Sequence, residues 1–327
     1  MTSRNVLVIG GSGFIGSAIV AKLSAAGKRV LVPTRRRERA KHLITLPTVE
    51  VVEANVHDAP ALAGLMQEMD AVINLVGVLH SDTGTPYGKR FQMAHVDLAR
   101  KVGEACVAVG MPRLLHMSSL GADSHAPSMY LRSKAAGEAA VTAALRGAAA
   151  CTALTVFRPS VVFGQGDKFI NLFARLQRYA PLVPLGKPDA KLQCIWVEDL
   201  ARAFVNALDA PHTFGKTYEL AGPKVYMLKQ LVEYAGQVSG HPRLVFGLPD
   251  RLAYMQAWMM EMGPVEMLSR DNLDSAKVDS VISDAALHTM KTELGITPAA
   301  MEAVVPGYLS GHSPKQRYML LRDHAGR

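Results

Sequence analysis

The sequence predicts an α/β chain built on a doubly wound parallel sheet with a smaller, mainly helical C-terminal lobe, and three observations carry that expectation. Short β-branched apolar runs alternate with longer segments of helical periodicity, the pattern of successive strand–helix–strand units. The first run, Val6 to Ile9, stops at the glycine-rich turn Gly10-Gly11-Ser12-Gly13-Phe14-Ile15-Gly16. And 327 residues, with 49% hydrophobic and 20% charged side chains, are enough for a large core in a soluble chain of about two domains.

The first strand is short and β-branched, as suits a parallel strand covered on both faces. A helix follows it: Ile15, Ile19 and Leu23 recur every four residues, Ala18 and Ala26 join the same face, and Gly27 closes the segment. Glycine lets the backbone turn this tightly and approach a pyrophosphate, whose charge the helix N-terminal amides can hold. Strand, turn and helix together therefore read as a Rossmann-type dinucleotide-binding unit, with Gly10, Gly11, Ser12, Gly13, Phe14, Ile15 and Gly16 as cofactor contacts.

The second strand, Arg29 to Val32, ends where the adenosine ribose lies in this architecture. A carboxylate there would accept from the 2′-hydroxyl of NAD, but the chain reads Pro33-Thr34-Arg35-Arg36-Arg37. Guanidinium groups grip a 2′-phosphate, so Arg35 and Arg36 predict NADP(H) over NAD(H), while Arg37 and Arg39 suit a solvated helix start. A third strand, Val49 to Glu53, leads to Asn55 and Val56 near the adenine, and Asp58 is placed to cap a helix beginning near Pro60. A fourth, Ala71 to Val76, brings Leu75, Val76 and Gly77 toward the cofactor. Residues 90 to 110 carry an unbroken apolar stripe (Phe91, Ala94, Leu98, Val102, Ala105, Val109) and predict one long helix ended by Gly110 and Pro112.

The fifth strand, Arg113 to Met117, delivers Met117, Ser118 and Ser119 at its carboxyl end, the edge where open parallel sheets place ligands. Tyr130 and Lys134 follow, four apart and hence on one helix face. That spacing lets an ammonium lower the phenol pKa and hold the nicotinamide ribose. The chemistry of such a site is proton transfer by Tyr130 at a carbonyl or hydroxyl oxygen that Ser119 polarises, coupled to hydride transfer with a nicotinamide. The competing reading is a surface helix start with Ser128 as cap and Lys134 solvated.

The register Gly10, Gly13, Gly16, followed by Phe14-Ile15 inside it and by Ser119, Tyr130 and Lys134, resembles an extended, atypical short-chain dehydrogenase/reductase of the epimerase/dehydratase superfamily. Ala71 to Leu79, Met117 to Asp123, Tyr130 to Ala140, Phe157 to Gly166, Tyr218 to Pro223 and Val305 to Tyr308 further resemble bacterial relatives of the nucleotide-binding accessory subunit of respiratory complex I, NADH:ubiquinone oxidoreductase. The resemblance implies that Asn55 bonds the adenine amine, that Pro159 and Ser160 border the nicotinamide, and that His95 stands where many extended members carry asparagine. It also implies tight NADPH binding in a group that has often lost the catalytic tyrosine and lysine, whereas this chain keeps both. Two functional classes remain open: an accessory or assembly protein of a respiratory complex, and an NADPH-dependent oxidoreductase or epimerase on a small apolar or sugar-nucleotide substrate.

The sixth strand, Thr152 to Phe157, precedes a proline-rich segment with a helix from Lys168 to Tyr179, and a strand at Lys191 to Val197 is expected back in the main sheet. Asp199 is read as a helix cap. The nucleotide domain is therefore placed at 1–165 and 190–222, and a substrate or partner lobe at 166–189 and 223–327. In that lobe two helices are predicted, 227–239 and 249–262. The second, with Met255, Met259, Met260 and Met262 around Trp258 and Met267 beyond, is read as irregular core, with a soft surface for an isoprenoid, lipid or partner helix as the alternative.

A formal charge of +8 does not point to nucleic acid, because the basic residues form no long run interleaved with aromatics. The basic tail with Tyr318-Met319-Leu320-Leu321 suits an anionic membrane face or a disordered end. Cys106, Cys151 and Cys194 are expected as buried free thiols, with no metal site, no nucleophile elbow and no apolar run near the roughly 18 residues of a membrane span. A cytoplasmic protein, peripheral to the cytoplasmic membrane in the accessory reading, is the resulting expectation.

Overall fold

The structure is a computed structural model that describes residues 3–146, 151–263 and 268–310. The predicted tail contact and Met267 lie outside the described residues. The chain forms two compact units: Met1–Ser160, Glu198–Leu220 and Ile282–Thr297 make the first, and Val161–Val197, Ala221–Val281 and Pro298–Arg327 the second.

The first unit is organised by seven parallel strands: β1 (Asn5–Ile9), β2 (Arg29–Thr34), β3 (Val49–Glu53), β4 (Ala71–Asn74), β5 (Arg113–Met117), β6 (Ala153–Pro159) and β7 (Thr217–Leu220). Their order across the sheet is β7-β6-β5-β4-β1-β2-β3. The order reverses between β1 and β4, and a crevice at their carboxyl ends is where this architecture takes ligands. Val6, Leu7 and Val8 are fully buried, which explains the unbroken apolar run. One helical layer comprises α2 (Ala59–Met66), α3 (Leu98–Val109) and α4 (Met129–Ala144), whose Leu62, Leu98, Val102 and Val141 share a core with Leu7, Val72 and Leu114. Helix α1 (Phe14–Ala25) ends as predicted, with Gly27 left-handed at φ +73° and the Lys28 amide bonded to the Leu23 carbonyl.

Several expectations are corrected. Lys191 to Val197 does not return to the main sheet: Lys191–Leu192 pairs with Tyr226–Met227, and Ile195–Trp196 pairs with Val162–Phe163, within the second unit. The seventh main-sheet strand is instead Thr217–Leu220, pairing with β6. Residues 161–197 accordingly cluster with the second unit and 282–297 with the first. The long helix over 90–110 is interrupted by a π-helical turn, Gln92–Asp97. Asp58 stands at the N-cap of α2 but its side chain makes no capping bond, and Asp199 lies inside the Val197–Leu208 helix, where its buried carboxylate pairs with Arg202. Cys106 and Cys194 are buried, whereas Cys151 is exposed.

Arg113 on β5 anchors the end of the Val197–Leu208 helix. Its buried guanidinium donates to the Ala207 and Leu208 carbonyls at 2.8 and 3.1 Å, to the Ala153 carbonyl and to Thr213 Oγ1. Those bonds replace the lost hydration of the cation and satisfy carbonyls that a helix end leaves unpaired.

The second unit packs Phe163, Ile170, Cys194, Leu231, Ala235, Met301 and Val305 into one core. Its Asp250–Glu261 helix buries only Ala253 and Ala257, against Leu273. The methionine-rich face is exposed, which corrects its reading as core.

Candidate functional site

The predicted contacts gather at the carboxyl edge of the sheet, because each lies in the loop that leaves a parallel strand. After β1, Gly10 takes φ +86° and its Cα packs against the Leu75–Val76 backbone, 3.3 Å from where a Cβ would stand. A Cβ on Gly16 would run into the Gly10 carbonyl and come within 2.7 Å of Gly11 Cα. Turn and helix thus touch backbone to backbone, which only glycine at both positions permits. Gly13 is the N-cap of α1 with no side-chain cap, and no acidic residue sits in the first turn. The turn therefore presents helix amides, with their partial positive charge, to whatever anion lies there.

Arg35 and Arg36 follow β2 and are exposed. Thr34 Oγ1 donates to the Arg36 carbonyl at 3.1 Å, which shapes the turn that carries them. Arg35 lies close enough to His57 to help lower its pKa, after burial and Lys101. Beyond β3, Asn55 Oδ1 accepts from the His57 amide at 3.1 Å, so part of its acceptor capacity is used in its own turn. Val56 packs against the core beside α2.

The second cluster joins β5, the π-helical turn and α4. Ser128 caps α4, accepting from the Leu131 amide, as the surface-helix reading expected, but Lys134 is buried rather than solvated. Lys134 Nζ donates to the Met117 carbonyl at 2.8 Å. Burial pushes its pKa down to about 8, with Glu138 opposing. Ser119 is hydrogen-bonded to the Tyr130 phenol, and burial raises that phenol pKa while the Ser119 bond pulls it down. Burial outweighs any lowering, so the phenol stands above its ordinary value, and the Lys134 ammonium makes its hydrogen bond to the Met117 carbonyl. Ser119, Tyr130 and Lys134 are brought to one strand end. Ser118 and Ser160 are buried beside them, with amides held by the Phe157 and Leu220 carbonyls, and Pro159 accepts from the Leu120 amide.

The sequence favours a structural role for His95 over one facing the site, and the structure gives its ring four partners. Its Nε2 accepts from the Val78 amide at 3.0 Å, which places the ring proton on Nδ1, 2.7 Å from Ser133 Oγ. Ser133 Oγ in turn donates to the Tyr130 carbonyl. The ring stacks on Phe91 and meets Tyr130 edge-on. Burial, Lys134 and His116 push its pKa down to about 2, so it is a neutral strut between the loop after β4 and helix α4. His116, whose Nδ1 lies 3.3 Å from Asn74 Nδ2, is likewise pushed down to about 3 by burial and then by Lys134. Neither role leaves a mark in sequence spacing. Gly77 lies between these groups, 3.7 Å from His95 Nε2 and 3.9 Å from Lys134 Nζ measured from an ideal Cβ position. Among the described residues no cluster of side chains could hold a metal ion, and no helix is long and apolar enough to cross a membrane.

A parallel sheet in this strand order, with a glycine turn at its first strand–helix junction and a serine, tyrosine and lysine at the edge of β5, defines a Rossmann-type protein of short-chain dehydrogenase/reductase form. More narrowly, the chain belongs to the NAD dependent epimerase/dehydratase family, whose sequence pattern matches residues 6–221. It is 31% identical over 307 residues to the NADH dehydrogenase [ubiquinone] 1 alpha subcomplex subunit 9, mitochondrial, of Arabidopsis thaliana, covering 88% of this chain and 73% of that one. A ceramide reductase of Caulobacter vibrioides is 32% identical over 249 residues, covering 75% and 74%. Among solved structures, MoeE5 in complex with UDP-glucose and NAD superposes with a TM-score of 0.72 at 18% identity, covering 97% of this chain and 99% of that one, a likeness of fold.

Proposed function

We propose that the chain binds NADP(H) and serves as a nucleotide-loaded accessory or assembly protein of a respiratory, quinone-reducing complex. The observation that carries the reading is similarity to the complex I subunit across 88% of the chain, together with a glycine turn whose backbone would not admit a side chain at Gly16. Gly10 to Gly16 hold the pyrophosphate through backbone amides, Arg35 and Arg36 take the 2′-phosphate, Asn55 and Val56 border the adenine, Leu75, Val76 and Gly77 line the middle of the dinucleotide, and Met117, Ser118, Pro159 and Ser160 border the nicotinamide end. This reading puts the chain in the cytoplasm, peripheral to the cytoplasmic membrane.

A second reading, an active NADPH-dependent oxidoreductase or epimerase, is favoured by the Ser119–Tyr130 hydrogen bond and the buried Lys134, and by the likeness to a ceramide reductase. The bound nicotinamide would supply or accept hydride. Ser119 and Tyr130 would hold the oxygen of a small, apolar substrate, Tyr130 would pass the proton, and the Lys134 ammonium would favour the phenolate once turned toward it.

Identification of the copurifying nucleotide, titration with NADPH and NADH, and rescue of a deletion strain test both readings. We expect NADPH to bind at least about tenfold tighter, membrane-complex assembly to fail on deletion, and Tyr130→Phe to restore it. Tighter NADH binding overturns the NADP part, normal assembly in the deletion strain overturns the accessory role, and failure of Tyr130→Phe to rescue, despite unchanged nucleotide affinity, points to chemistry.

A further inference from the structure

Arg132 stands between Tyr130 and Lys134 on α4, and its guanidinium bonds to both loops in front of that helix. Nε donates to the Pro86 carbonyl at 2.9 Å, and Nη1 donates to the Ala126 and Pro127 carbonyls at 2.7 and 2.9 Å. Ala126 and Pro127 belong to the loop that leaves β5, while Pro86 belongs to the loop that leaves β4. One side chain thus ties together the segments that follow two neighbouring strands of the site.

The loop after β4 depends on such ties. Residues 79–88 include no helix or strand, and none of residues 79–87 is buried, so the core does not hold them. Polar bonds fasten the base instead. Asp82 accepts from the Lys89 and Arg90 amides, both at 3.2 Å, and Ser81 Oγ accepts from the Phe91 amide at 3.2 Å. Gly88 packs so closely there that a Cβ on it would run into the Asp82 carbonyl. At the other end, the Val78 amide donates to His95. With both ends fixed, the Arg132–Pro86 bond holds the span between them down onto α4.

The position of the loop decides what it can gate. It starts beyond Gly77, whose ideal Cβ position is 3.7 Å from His95 Nε2 and 3.9 Å from Lys134 Nζ. It returns through Phe91, whose ring meets Tyr130 edge-on. Both ends therefore stand beside the nicotinamide half of the proposed dinucleotide. Resting on that reading of nucleotide binding, we propose that residues 79–88 are a strap across the nicotinamide end and that Arg132 is its latch. The strap must leave Arg132 before the nucleotide enters or departs. A hydrogen bond from a charged donor at an exposed position is strong enough to keep the strap closed and weak enough to let it open.

A gate has a kinetic signature that lost packing lacks. Because opening precedes both steps, loosening the latch speeds entry and release by the same factor and leaves the equilibrium unchanged. Stopped-flow fluorescence of NADPH with the whole chain, in binding and in displacement by excess NADP+, reads both rates. Arg132→Ala should raise the association and release rate constants each by on the order of tenfold, with the dissociation constant within about threefold of wild type. Gly88→Ala, which disturbs the base of the strap and leaves Arg132 in place, should do the same. In the nucleotide-free protein, the amides of residues 80–87 should exchange with deuterium about tenfold faster in Arg132→Ala, with far-ultraviolet circular dichroism unchanged.

Unchanged exchange overturns the proposal, as does faster exchange with both rate constants unchanged. Faster release with unchanged association also overturns it, and leaves Arg132 holding only the entry to α4. A wild-type chain that binds neither NADPH nor NADH overturns the nucleotide reading and the strap with it, a failure told apart from the others by the absence of any binding.

Discussion

Lys134 donates to the carbonyl oxygen of Met117 across 2.8 Å, tying helix α4 to the last residue of strand β5. The ammonium is buried there, and its pKa of about 8 lies below the ordinary 10.5. Between those values the unfolded chain binds more protons than the folded one, so this residue makes stability rise with pH through that window and costs it most below about 8. Lys134→Met should remove the slope. The difference in unfolding free energy between wild type and variant should change by on the order of 3 kcal/mol across the window, as measured by urea unfolding at several alkaline pH values without nucleotide.

His95 and His116 give the opposite limb of the pH profile. Both are held neutral, at about 2 and about 3, while their unfolded counterparts take up a proton as pH falls through 6.5. Their contribution is present above 6.5 and lost as the solution is acidified, at up to about 1.4 kcal/mol per pH unit for each histidine. A His95→Asn, His116→Gln variant should start less stable at neutral pH and show a shallower loss between pH 6.5 and 4 in the same unfolding assay. An equal slope would mean that other groups govern the acid limb.

The glycine turn predicts unequal costs at neighbouring positions. A Cβ at Gly16 collides with the Gly10 carbonyl and Gly11, which are backbone and cannot swing aside, whereas a Cβ at Gly13 meets only the Gly10 carbonyl oxygen at 3.4 Å. Gly16→Ala should weaken NADPH binding by more than about tenfold, or more than about 1.4 kcal/mol, and lower the melting temperature. Gly13→Ala should change the melting temperature only slightly and act on NADPH binding alone, through the approach of the pyrophosphate to the turn, as followed by calorimetry and nucleotide fluorescence.

The sequence disclosed the strands best where burial on both faces left an unbroken apolar run. Strand β1 lies within a residue of its predicted bounds for that reason; β3 and β5 match as well, although β3 is a half-buried edge strand with exposed Glu50 and Glu53 and β5 buries Arg113 and His116 among its apolar residues. Thr217–Leu220 carries no legible strand signal, since alternation of Tyr218 and Leu220 with exposed or half-buried neighbours over four residues is too short. The run around Ile195 and Trp196 looked like one strand, yet it breaks at Gln193, whose side-chain amide turns to the Gly222 carbonyl. A π-turn keeps an apolar stripe nearly continuous, so the interruption at Gln92–Asp97 was invisible. The serine, tyrosine and lysine were legible from spacing. The direction in which Lys134 points was not, because it depends on a carbonyl seventeen residues away in the chain.

Nucleotide preference is the sharpest remaining test of the sequence reading, since it turns on two exposed side chains with no role in the core. Arg35 and Arg36 sit on a turn shaped by Thr34, and no ion pair with an acidic side chain occupies either of them among the described residues. Exposed cations cost little to replace in stability, so Arg35→Ser with Arg36→Ser should leave the melting temperature within a degree or two. What should change is discrimination. Charge-assisted bonds to a 2′-phosphate contribute about 1.5–3 kcal/mol each, so with both removed NADPH affinity should fall by about 100- to 10,000-fold while NADH affinity stays within about twofold. The wild-type preference should also weaken as salt is raised, because both guanidinium groups lie in water where screening acts. Equal losses for NADPH and NADH would place the arginines on the shared part of the dinucleotide instead of its 2′-phosphate.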